Sequence, residues 1–145
     1  MLHNRLFAAL SALFLLVACT PLISPFSEVA YQNATDLKAH SLALVDQSAD
    51  PYAQHAAEAE QLLIDVSAAY EFVNGMKGNE ISAAQWQLMR DPGKNLMGGF
   101  VGFWQQVDKV SPAFRDEYHG QVAEAFDYII CLEANKRIAT LCTKP

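Results

Sequence analysis

Between Tyr52 and Val73 the residues Tyr52, Ala56, Ala59, Leu63, Val66, Tyr70 and Val73 recur at steps of four and three without a miss. Gln54, Glu58, Gln61 and Asp65 fall on the other side. Such steps keep one face of a 3.6-residue helix apolar, so this stretch predicts a long amphipathic helix that needs partners to cover its stripe. Gly75 and Gly78 end it. Upstream, Ala30, Ala34, Leu37, Ser41, Leu44 and Ser48 follow the same spacing, widened by Val45, and predict a helix from about Ser27 to Ser48. Asp50-Pro51 then supplies a cap and a proline for the first helical position. A link as short as Ser48 to Pro51 leaves the two helices side by side and antiparallel.

The next region is less regular. Ser82 can cap a short helix reaching Arg90, with Trp86 and Met89 inward, and Asp91-Pro92-Gly93 stops it. A glycine-rich but apolar run follows, Asn95 to Trp104, and predicts a short or broken helix from about Leu96 to Val107. Each of its three glycines weakens a helix by about 1 kcal/mol relative to alanine, yet permits backbones to approach closely. Ser111-Pro112 repeats the cap-plus-proline signal and opens a final helix with Phe114, Tyr118, Val122, Ala125, Ile129 and Leu132 inward, ending between Asn135 and Thr140. The expected fold is all-α: an antiparallel bundle of three long helices and one or two short ones, preceded by a cleaved signal helix.

The amino terminus has a different character. Arg5 precedes twelve residues, Leu6 to Val17, that are apolar except for Ser11. As a helix they reach about 18 Å, short of a hydrocarbon core of roughly 30 Å, which marks a secretory signal rather than a span. The run ends in Leu16-Val17-Ala18-Cys19, which resembles the lipobox of bacterial lipoproteins. That resemblance implies a diacylglyceryl group on the sulfur of Cys19, cleavage after Ala18, and an N-acyl lipid on the new amino group. Thr20, where aspartate would favour retention in the inner membrane, points to the outer membrane facing the periplasm. The expected divisions are a signal peptide over 1–18, the lipidated cysteine and tether over 19–26, and one helical-bundle domain over 27–145. Each buried methylene contributes about 0.8 kcal/mol, so two or three acyl chains hold the mature protein almost permanently.

Removing residues 1–18 takes Arg5 with them and leaves 9 basic against 16 acidic side chains in 127 residues. This acidic balance repels phosphate backbones and excludes nucleic acid as the expected partner. It also assigns membrane attachment to acyl chains rather than to a basic face. With Cys19 assigned to lipid, Cys131 and Cys142 remain as a candidate disulfide in an oxidising compartment. In a continuous helix they would lie about 16 Å apart, against the roughly 4.4–6.8 Å a disulfide needs. The bond therefore requires the last helix to end and the tail to fold back; two free thiols are the alternative.

Candidate chemistry is sparse. His55 and Glu58 share a helical face, but a di-metal bundle needs Glu-x-x-His pairs on two helices, and no second pair exists. His40 and His119 stand alone. No Gly-x-Ser-x-Gly elbow is present, and the glycines at 98, 99 and 102 lack the lysine and hydroxyl of a phosphate loop. Neither a catalytic residue nor a metal or further cofactor is assigned. The aromatics among those glycines have two readings: a tight crossing that completes the core, or a partly exposed patch that docks a partner or the membrane surface. Phe100, Phe103 and Trp104 are the candidate contact patch.

The segment Asn79-Glu80-Ile81-Ser82, Gln85-Trp86, Asp91-Pro92 and Leu96-Met97-Gly98-Gly99-Phe100 is similar to small helical proteins of bacterial envelopes. That resemblance implies a fold and no activity. The resulting expectation is a non-enzymatic lipoprotein whose helical domain works through an envelope protein partner. The alternatives are a metal- or cofactor-binding helical protein using His40, His55 or His119, and an accessory lipoprotein of a larger envelope complex.

Overall fold

The computed structural model describes residues 24–136 together with 141 and 142. The expected signal helix and Cys19 lie outside these residues. The described chain is all-helical: α1 (Glu28–Gln47), α2 (Tyr52–Asn74), α3 (Glu80–Arg90), α4 (Met97–Val107) and α5 (Pro112–Ala134). Three are long and two have 11 residues each, as the spacing of apolar residues predicts.

Ser27 begins α1 by accepting a hydrogen bond from the Ala30 backbone N–H at 3.3 Å, which satisfies one of the helix's free amides. Ala30, Ala34, Leu37, Ser41, Leu44 and Val45 are buried, as expected. The small residues in that stripe let α1 and α5 pack closely. Lys38 pairs with Asp127, and Asp46 lies 4.0 Å from His119. Eight residues forward on α1 thus match eight backward on α5, so the two run antiparallel.

On α2 the buried residues are Ala59, Leu62, Val66, Ala69 and Val73. Leu63 and Tyr70, expected at the centre of the stripe, are half-buried beside it. The reason is that α2 packs against both α1 and α3, which moves the centre of its covered face by one residue. The cap also differs. Helix α2 starts at Tyr52 with Pro51 in the cap position and no side-chain cap bond. Its first amide, that of Tyr52, instead donates to the Asp108 carbonyl at 2.9 Å and lies 3.2 Å from Asp108 Oδ1. A residue distant in sequence therefore does the work expected of Asp50.

Helix α3 begins two residues before Ser82, with Asn79 at its cap. Trp86 and Met89 are buried, and Trp86 meets Phe126 edge-on with centroids 5.8 Å apart. Phe126, rather than Ala125, is thus the inward residue of that turn of α5. Arg90 ends α3 with its guanidinium 3.7 Å from the Tyr70 ring centroid and 3.3 Å from Glu71. The close approach expected of the glycines occurs where α4 starts. A Cβ on Gly98 would sit 2.4 Å from the Arg90 carbonyl oxygen, and one on Gly99 only 1.8 Å from that of Lys94. Gly102 faces open space.

The bundle has two distinct ends. At one, the Ser24 amide donates to the Gly78 carbonyl at 3.2 Å, so the chain enters the fold beside the α2–α3 loop, near the end of α5. At the other, the α1–α2 and α4–α5 links are stitched together by Val110 N–H donating to Ser48 O at 2.8 Å. Asp108 adopts φ 64° there, a left-handed conformation that aspartate tolerates better than most residues.

Candidate functional site: an aromatic surface between two helices

The expected contact patch needs correction. Phe100 and Trp104 are fully buried. Trp104 donates its indole N–H to the carbonyls of Asp50 and Asp108, each at 3.1 Å, and takes Tyr52 edge-on at 5.4 Å. It is a strut between the two links, and Phe100 fills the core behind it at 6.0 Å. The tight approach at Gly98 and Gly99 seats this face of α4 against the bundle, so two of the three aromatics complete the core.

Phe103 remains half-exposed, and the structure gives it neighbours that helical spacing did not suggest. Its ring lies 5.6 Å from Phe114 and 5.9 Å, stacked, from Tyr118. Tyr118 in turn reaches Phe100 at 5.0 Å, joining the surface to the core. Phe114, expected inward, is 51% exposed, and Val107, one turn beyond Phe103, is 41% exposed. Phe114 lies in the first turn of α5, at the end of the bundle, where only Phe103 of α4 meets its ring among the described aromatics. The result is a continuous aromatic surface formed by Phe103, Phe114 and Tyr118, with exposed Val107 one turn along α4. Burial, followed by the Glu117 carboxylate nearby, raises the Tyr118 hydroxyl above its ordinary pKa of 10.0, since both disfavour the phenolate.

The three histidines do not meet at a common centre. His55 packs against Trp104 at a tilt, with centroids 5.6 Å apart. Its Nε2 lies 3.5 Å from Asp50 and its Nδ1 3.8 Å from Glu58, and both carboxylates are exposed. His119 meets Asp46 across α1 and α5. His40 lines an open hollow of about 430 Å³ between α1 and α2, with Asp36, Asp65 and Phe72. The cofactor-binding alternative expects two histidines close to inward carboxylates, whereas the carboxylates beside His55 and His119 are exposed. Among the described residues, no group of three or more His, Cys, Asp or Glu side chains is placed to hold a metal ion.

At the opposite end, the tail folds back on α5. Helix α5 stops at Ala134, with Asn135 at its cap donating a side-chain bond to the Cys131 carbonyl at 3.0 Å. Cys142 is bonded to Cys131, with Cα atoms 5.7 Å apart. Lys136 is nearly buried here. Its Nζ donates to Asn79 Oδ1 at 2.6 Å and Ser82 Oγ at 3.2 Å, and forms an ion pair with fully buried Glu133 at 2.8 Å. Nothing in the sequence singles out this pair, although Glu133 beside Leu132 on an inward face is a weak signal.

No known protein family, curated protein or solved structure matches this chain. Its class is therefore set by the fold and the surface just described: a small helical bundle with a half-buried aromatic face at one end and a disulfide-tied, polar-clamped terminus at the other.

Proposed function

We propose that this chain is a lipid-anchored protein of the bacterial cell envelope, held at the periplasmic face of the outer membrane. Its helical domain works non-enzymatically, through contact with another envelope protein. The observation that carries this reading is Leu16-Val17-Ala18-Cys19 closing a short apolar run. It precedes a domain in which no described helix is long and apolar enough to cross a membrane. An acylated Cys19 gives the chain a membrane attachment that requires no basic surface on the domain. The Cys131–Cys142 bond supports the same address, because disulfides persist in oxidising compartments.

The contact surface is assigned to Phe103, Phe114 and Tyr118 in place of Phe100 and Trp104. Aromatic side chains anchored in a core but open on one side bury large area at low entropic cost, as interface anchors do.

Two measurements test the reading. Cys19→Ser should abolish incorporation of labelled fatty acid and stop normal processing of the signal segment; persistent label in that variant overturns the anchor. In intact cells, crosslinking should capture an envelope protein with the native chain and with Ile64→Ala, an exposed change on α2, but not with Phe103→Ala/Phe114→Ala. Equal capture by all three removes the aromatic surface from the reading.

A further inference from the structure

The described fold begins at Ser24, five residues after Cys19. Fully extended, five residues span at most about 18 Å. Ser24 is itself tied to Gly78, so the point where the chain enters the bundle has a definite place. Helix α1 then leads away through 20 residues, a rise of about 30 Å. The entry end of the bundle is therefore the part held nearest a bilayer that carries the acyl chains of Cys19.

That same end carries exposed large apolar side chains from three separate segments. Phe26 (58% exposed) and Val29 (51%) flank the start of α1, Ile81 (56%) lies in the first turn of α3, and Leu141 (64%) precedes Cys142. They are brought to one end by the Ser24–Gly78 bond, by Lys136 clamping Asn79 and Ser82, and by the Cys131–Cys142 bond. None of the four belongs to the buried core, and together they leave the end beside the tether rich in exposed apolar side chains.

We propose that this end is a membrane-contacting face: Phe26, Val29, Ile81 and Leu141 enter the headgroup region of the bilayer to which Cys19 is anchored. The inference rests on the lipid-anchor reading. The occupant is the lipid surface itself, because the short tether holds this end against the bilayer wherever the acyl chains insert. Interfacial apolar side chains sink about 5–10 Å into the headgroup and acyl boundary, which is within the reach left by the tether. The aromatic surface at the far end of α5 is then held away from the membrane.

The test uses the acylated full-length product, purified and returned to phosphatidylethanolamine vesicles doped with phosphatidylcholine brominated near the headgroup. Reporter tryptophans are placed one at a time as Phe26→Trp, Ile81→Trp and, at the far end, Phe114→Trp; Trp86 and Trp104 are a constant buried background. Acylation is checked independently by intact mass. The expected result is a blue-shifted, strongly quenched signal from Phe26→Trp and Ile81→Trp and an unquenched one from Phe114→Trp. Acylated protein with no quenching at either entry-end site overturns the membrane face and leaves the anchor standing, which is also the outcome if a protein partner or a second copy covers that end. Unacylated protein in the soluble fraction overturns both.

Discussion

Glu133 is fully buried and meets Lys136, whose ammonium also holds Asn79 and Ser82. Removing one member of a buried ion pair leaves an uncompensated charge, which costs about 3–5 kcal/mol. Lys136→Met should therefore lower the urea-unfolding free energy by that order, whereas Glu133→Leu/Lys136→Met should recover a large part of it. Full additivity of the two single changes would contradict the pairing. Tyr118 supplies a second residue-level expectation. Its folded pKa lies above the unfolded value of 10.0, so the folded state holds the phenolic proton more tightly. Its contribution to stability is complete below pH 10 and is lost as pH rises through the folded pKa. Absorbance titration should show one tyrosine ionising late, and Tyr118→Phe should remove it.

Among the elements, α4 is the one whose position depends most on residues without side chains. Gly98 and Gly99 let its first turn lie directly against the carbonyls of Arg90 and Lys94. Gly99→Ala forces backbone apart and should cost about 1–3 kcal/mol or more. Gly102→Ala, three residues on and facing open space, should instead stabilise by about 0.5–1 kcal/mol through helix propensity. Chemical denaturation of the two variants checks the opposite signs. The apolar run around these glycines was readable as a helix with a close approach, but two packings fitted it. Burial of Phe100 and Trp104 follows from the seat those glycines permit, together with the carbonyls of Asp50 and Asp108 that receive the indole N–H. Asp108 lies one turn on from Trp104, but Asp50 is 54 residues away in sequence, so spacing alone had no means of choosing.

At the scale of the whole molecule, the two ends of the bundle are closed in different ways. The far end is stitched by backbone bonds between links, with Asp108 capping α2 across 56 residues. The entry end is closed covalently and by the Lys136 clamp. The disulfide joins residues 11 apart, so Cys131→Ser/Cys142→Ser should lose about 2–3 kcal/mol of stability through the freed tail. Under reducing conditions the native chain should melt like that variant; unchanged melting on reduction would show that the bond contributes nothing. This asymmetry also separates two surfaces, one aromatic and one beside the tether, along an axis about 30 Å long.

The sequence by itself determined what depends on neighbours a few residues away: five helices with nearly correct bounds, their breaks at proline and glycine, and the inward stripe of α1. Periodicity and capping are local, so they can be read without the fold. Only the tertiary structure decided which atoms meet across the bundle. It supplied the distant cap for Tyr52 and the buried Glu133–Lys136 pair, and it decided between a bond and free thiols for Cys131 and Cys142. It also turned Phe114 outward and Phe126 inward. Each of these turns on how α4 and α5 sit against the other helices, and that is settled by packing among many residues at once rather than by any short stretch of chain.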